Sequence, residues 1–145
     1  MVRRTKQSNQ NITMNVIDLD GKSSKWSLVG HTVGINNRST RSTYHLYARQ
    51  LIKDIHPTLH LLEEVSIAVR PNTTLYLDFF LPLIKTCVEV HGEQHYDFIP
   101  FFHTDKIGFL KQLGRDRDKE EWCEINDIEL IVLKYDEQDK WKGQL

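Results

Sequence analysis

The sequence predicts an α/β (α+β) chain with a mixed central β-sheet flanked by helices. Segments of helical and of strand periodicity occur in the order helix, strand, strand, strand, helix, strand. The three middle strands are joined by short, turn-bearing connections, as in a meander. The last strand follows a long helical crossover, which favours a parallel pairing with an earlier strand. A length of 145 residues suits one domain, and 39% hydrophobic residues are enough for a real core.

Residues 1–11 are polar and basic (Arg3, Arg4, Lys6). They suit either a frayed terminus or an arm that touches nucleic-acid phosphates. Residues 12–37 are β-rich around an Asp20-Gly21 turn pair and predict a hairpin appended before the core. Ser42 or Thr43 can cap a helix that runs from Tyr44 to about Asp54, with Leu46, Tyr47, Leu51 and Ile55 as its apolar stripe. His56-Pro57 ends it. Leu61 to Val69 alternates like a strand, through Leu62, Val65, Ile67 and Val69, and Pro71-Asn72 turns the chain. Two further strands follow, around Leu77–Phe80 and Val88–His91, separated by Pro82 and Lys85-Thr86.

An aromatic loop, DFIPFFHTDKIGF, leads into a helix capped by Thr104 or Asp105. Phe109, Leu110, Leu113, Trp122 and Ile125 form its expected apolar face, and Gly114 is a point where it can break. Asn126-Asp127 closes it before the strand Ile128–Leu133, and the tail, DEQDKWKGQL, is polar with one tryptophan.

The composition restricts the function classes. A net charge of -1 argues neither for nor against nucleic acid, since a basic face can exist on a neutral protein. Cys87 and Cys123, without a CxxC, fit a reducing, intracellular and cytoplasmic setting and disfavour a cysteine-based zinc site. The start lacks an apolar signal region, and the most apolar run, Leu75–Ile84, is interrupted by Asp78 and Pro82. No membrane association is expected.

Chemistry concentrates in Leu75–Tyr96. Asp78 and Glu89 each sit in an apolar strand, where an unpaired acid is costly. On adjacent strands the two can share a cation. Glu89 and His91, two apart, share a face with Cys87. Carboxylates with a backbone carbonyl suit Mg²⁺ or Mn²⁺. The blander alternative makes both acids solvent-facing residues of a sheet edge. His91 and His95 have the HxxxH spacing of a helical zinc site, but Gly92 argues against a helix and no third ligand is evident. The charged run Arg115–Glu120 is either a solvated helix face or one that puts Lys119 over the sheet end and Arg115 or Arg117 on phosphates.

Asp78, the run Val88-Glu89-Val90-His91-Gly92-Glu93-Gln94-His95-Tyr96, the helical Asp116-Arg117-Asp118-Lys119 and the strand Ile128–Leu133 together resemble the PD-(D/E)XK, or restriction-endonuclease-like, nuclease superfamily. Within it they are most similar to very short patch repair endonucleases, over about residues 42–135. The resemblance implies an αβββαβ core and divalent-metal-dependent hydrolysis of DNA phosphodiesters, with duplex, nicked or branched DNA as partner and a monomer or homodimer as the working form. It makes Asp78, Glu89 and the Val90 carbonyl the metal ligands, with Mg²⁺ or Mn²⁺ as cofactor. His91, Gln94, His95 and Lys119 become candidates for activating water or stabilising charge. Arg115, Arg117, Lys119 and Tyr96 become candidate DNA contacts. His91 stands where many members carry lysine. On the first helix, where relatives often have a glutamate, this chain offers His45. These two departures keep open a second reading, a catalytically inactive nucleic-acid-binding module on the same fold.

Overall fold

A computed structural model describes residues 13–28, 31–32, 42–100, 103 and 105–145. The basic arm (Arg3, Arg4, Lys6), the aromatics Phe101 and Phe102 and the cap candidate Thr104 lie outside the described residues, as does part of the predicted 12–37 hairpin.

The chain is mixed α+β. Strands β1 (Thr13–Ile17) and β2 (Ser23–Ser27) form an antiparallel hairpin. A five-stranded sheet follows, in the order β3 (His31–Thr32), β4 (Leu62–Arg70), β5 (Thr73–Leu81), β6 (Thr86–His91), β7 (Glu129–Lys134). Pairs β3–β4, β4–β5 and β5–β6 are antiparallel, whereas β6–β7 is parallel. The meander and the parallel crossover are therefore as the connection lengths predicted.

Among the described residues, three helices flank the sheet. Helix α1 (Thr43–Ile55) is capped by Ser42, whose hydroxyl accepts from the His45 N–H at 3.1 Å. Helix α2 (Lys106–Ile125) is capped by Asp105, which accepts from the Gly108 N–H at 2.9 Å, and it continues unbroken through Gly114. Helix α3 (Gln138–Gln144) forms where the sequence suggested only a polar tail. Trp141 is the reason: it is fully buried, and its indole N–H donates to the Lys134 carbonyl at 2.8 Å.

The two faces of the sheet carry separate cores. On one, Val65, Ile67, Val69, Leu75, Leu77, Phe80 and Cys87 meet Trp122 and Cys123 of α2. Val16, Trp26 and Leu28 belong to that core too. The hairpin is thus an appendage in its strand pairing but not in its packing. On the other face, Phe79, Leu81, Val88 and Leu133 meet Ala48 and Ile52 of α1 and Trp141 of α3.

Two expected stripes are corrected. On α1 the buried residues are His45, Ala48, Arg49 and Ile52; of the expected Leu46–Tyr47–Leu51–Ile55 set, Leu51 packs half-buried against the core, whereas Tyr47 is exposed. Polar His45 and Arg49 turn inward because a buried acid, Glu63, receives both. On α2, Leu110 and Ile125 are exposed and only Trp122 and Cys123 are buried. The inward line runs through Gln112, Asp116, Lys119 and Cys123, successive steps of four, three and four residues, so it is polar toward one end and apolar toward the other.

Strand alternation slips in the middle of β4 and β5, apart from the register shift between Ala68 and Arg70. Leu62 and Val65 of β4 face the same core, as do Leu77 and Phe80 of β5. Between them stand Glu64 and Asp78, opposite each other by register. Glu64 has a φ of 52°, a left-handed backbone uncommon for a residue with a side chain. Such irregularities re-aim side chains and concentrate at sites of function.

Candidate functional site

The slip coincides with a parting of β5 from β6. Their ladder holds through Phe79↔Val88, and the next opposed pair is Asp78 and Glu89. There, side chains replace the backbone bonds. The Asp78 N–H donates to Glu89 Oε2 at 2.7 Å, and the Val90 N–H donates to Asp78 Oδ2 at 2.8 Å. Each acid thus satisfies the backbone of the other's strand. This excludes the solvated sheet edge: Glu89 is 2% exposed. Across the gap, Lys119 of α2 donates to Glu89 Oε1 at 2.8 Å.

A cavity of about 270 Å³ opens at this point, lined by Ser42, His45, Asp78, Glu89, Val90, Gln94, His95 and Lys119. It draws on α1 and α2, both parted strands and a 3-10 turn over Glu93–His95. Gly92 precedes that turn. A Cβ there would stand 2.6 Å from Gln94 Oε1, so glycine gives the Gln94 amide its place.

The electrostatics are those of crowded acids. Burial, and then the Glu89 charge, push the Asp78 carboxyl up to about 7. Lys119 keeps its charge: burial opposes it, but the charge and hydrogen bond of Glu89 outweigh burial and raise its pKa. An oxygen-seeking dication fits this set. Each carboxylate oxygen has two lone pairs, and a cation held between the acids would offset their repulsion.

His95 and His91 form the next layer. Asp116 of α2 holds His95, with Oδ2 at 2.8 Å from Nδ1, and Gln112 donates to Asp116 Oδ1 at 3.2 Å. Burial opposes ionisation of Asp116, but the hydrogen bond and charge of His95, with His91 and Gln112, together outweigh it and lower its pKa. His91 stacks on His95 with centroids 4.0 Å apart and rings 7° from parallel. Burial, and then neighbouring His95, push His91 down to about 4, so its ring is neutral at neutral pH. The Tyr96 hydroxyl lies 3.3 Å from His91 Nδ1.

His45 reaches the cavity with one nitrogen occupied: Nε2 lies 2.6 Å from Glu63 Oε1, which also accepts from Arg49 at 3.0 Å. Its ring stacks on Phe79 at 4.5 Å. Burial raises the Glu63 pKa, but the hydrogen bonds from His45 and Arg49 outweigh it and hold the group below its ordinary value.

Of the residues singled out in the sequence, Asp78, Glu89, Val90, Gln94, His95, Lys119 and His45 line one cavity. His91 borders a smaller neighbouring cavity with Asp116, Arg117 and Lys119. Arg115 is turned outward and donates to Gln112 at 3.3 Å, and Tyr96 is exposed. Glu63, Arg49, Gln112 and Asp116 escaped notice as site residues. Only Glu63 carried a signal of the kind that marked Asp78, an acid inside an alternating apolar strand.

No family model and no solved structure matches the chain. It is similar to viral proteins whose printed names call them uncharacterized. It is 41% identical over 79 residues to protein 307L of Invertebrate iridescent virus 6, covering 54% of this chain and 40% of that protein. It is 41% identical over 64 residues to protein 033L of Invertebrate iridescent virus 3, covering 44% and 33%. It is 35% identical over 74 residues to protein 094L of Frog virus 3, covering 49% and 48%. The matches thus span from a third to about half of the length of these curated relatives. No helix among the described residues is long and apolar enough to cross a membrane.

Proposed function

We propose that the chain is a divalent-metal-dependent endonuclease on a restriction-endonuclease-like core, hydrolysing phosphodiester bonds of duplex, nicked or branched DNA. One observation carries the reading. A buried acid, Glu89, and a half-buried one, Asp78, on parted neighbouring strands line a single cavity, with a lysine bonded to Glu89. A structural pair has little use for an open cavity, and a solvated pair has no need of Lys119.

In this reading Asp78, Glu89 and the Val90 carbonyl hold Mg²⁺ or Mn²⁺. Bound there, the ion supplies Lewis acidity and an activated water for in-line attack on phosphorus. Lys119 balances Glu89 and offers positive charge to a phosphate at the cavity mouth. Gln94 and His95 donate from the opposite wall, with His91 behind His95. Arg115 and Arg117, exposed on α2, bind flanking phosphates, and exposed Tyr96 offers a ring to a base.

The second reading, a nucleic-acid-binding module without catalysis, has its own support. His45 stands on the first helix in place of an acid, and Glu63 engages its Nε2.

The test is incubation of supercoiled plasmid with Mg²⁺ or Mn²⁺. The native chain is expected to consume it, and Asp78→Ala and Glu89→Ala each to lose that activity while keeping their circular dichroism. Equal cleavage by the Glu89→Ala protein would remove the assignment. Binding without cleavage, on duplex, single-stranded and branched DNA alike, would establish the second reading.

A further inference from the structure

The HxxxH pair lacked a third ligand in the sequence, and the fold supplies one. One donor atom each from His91, His95 and Asp116 lies within 4.8 Å of the others. The three come from separate elements: the end of β6, the 3-10 turn and the middle of α2. No helix is needed across Gly92. We propose that His91, His95 and Asp116 form a site for a borderline transition-metal dication of the Zn²⁺ or Co²⁺ class, separate in its ligands from Asp78 and Glu89. This inference does not depend on the nuclease reading.

Two imidazoles and one carboxylate are the donor set of open sites that leave a further position for water. The same set disfavours Mg²⁺, which prefers oxygen throughout. Partners that orient the donors are present. Gln112 donates to Asp116 Oδ1 at 3.2 Å, and the Tyr96 hydroxyl stands 3.3 Å from His91 Nδ1. Such partners fix tautomers and ring orientation at metal sites. Beside the donors lies a cavity of about 130 Å³, bordered by the acids Glu89, Asp116 and Glu120 and the bases Arg117 and Lys119. Acids outnumber bases there, and the Lys119 charge is already engaged by Glu89.

Zn²⁺ ligands stand about 2.0–2.2 Å from the ion. The donors must therefore draw inward, and one ring of the parallel stack must tilt. Asp116 exchanges its 2.8 Å hydrogen bond to His95 for the ion.

The experiment is Co²⁺ titration of the tag-free full chain, read by visible absorption, followed by displacement with Zn²⁺. The band is expected to saturate at one equivalent. His91→Ala, His95→Ala and Asp116→Asn should each weaken it by at least about tenfold, and Gln112→Ala by about tenfold with the band retained. His91→Gln serves where the alanine variant fails to fold by circular dichroism. Asp78→Asn, expected to be inactive on DNA, should bind Co²⁺ as the native chain does. Folded protein without a band would overturn the site, as would a band indifferent to His91, His95 and Asp116, or one lost only with Asp78. A band indifferent to Asp78 leaves the reading of Mg²⁺-dependent cleavage untouched, so the two proposals fail separately.

Discussion

Asp78 and Glu89 are not equivalent, although the sequence presents them alike. Glu89 has Lys119 at 2.8 Å, whereas the Asp78 carboxylate is held by the Val90 N–H and faces the Glu89 charge. Neutralising each by amide substitution should therefore shift stability in opposite directions. Asp78→Asn removes a buried like charge and should stabilise the metal-free fold by about 0.5–2 kcal/mol. Glu89→Gln strands the lysine and should cost about 1–3 kcal/mol. Urea midpoints read both, and a shift of the same sign in the two variants contradicts this account. Glu63 gives a pH prediction. Its pKa is held below the ordinary 4.5, so the stabilisation it provides is complete above that pH and fades as pH falls through the depressed value. Glu63→Gln leaves Arg49 buried without its partner, at a cost of about 3–5 kcal/mol near neutral pH. The difference from the native chain should narrow as pH falls through the depressed Glu63 value, where the native carboxyl is itself protonated. A gap that stays constant with pH rules out the ion triad as its source. Asp78 and Glu89 were legible because acids in apolar strands stand out. Asp116 was not, because in the run Arg115–Glu120 every residue is charged and only the helix phase selects Asp116 and Lys119 as the two that turn inward.

Helix α2 shows why elements were easier to find than to orient. Its existence and its cap were readable from Asp105 and the length of the segment. Its face was not, because an amphipathic search looks for apolar residues at helical spacing. The inward line here is Gln112, Asp116, Lys119 and Cys123, which has helical spacing but mixed polarity. The same holds for α1, where His45 and Arg49 turn inward and Tyr47 does not. Both helices bend the rule at the residues beside the cavity. The hairpin errs in the other direction: its turn pair was plain, but its role in the core was not. Trp26 sits 5.0 Å from Phe80 and 5.1 Å from Trp122, centroid to centroid, and its indole N–H donates to the Ser66 carbonyl at 2.9 Å. Trp26→Ala should cost about 3–5 kcal/mol, the scale of emptying a buried aromatic site. Thermal unfolding checks this, and a loss under about 1 kcal/mol would make the hairpin the dispensable appendage its strand pairing suggests.

At the scale of the molecule, the sheet divides the labour. One core ties the hairpin and α2 to the sheet, the other ties α1 and α3 to it, and the cavity lies between α1 and α2 where β5 and β6 part. Neither helix can shift without moving a cavity wall, which couples the integrity of both cores to the site. The described residues contain one such arrangement of paired acids and lysine. If the nuclease reading holds, a single chain thus brings one active site to one strand. Supercoiled plasmid should then pass to the open-circular form before any linear product appears, and the initial rate should rise in proportion to protein concentration. Linear product formed directly, with a rate that climbs more steeply than concentration, would mean instead that two copies act together on opposite strands, each supplying its own Asp78 and Glu89.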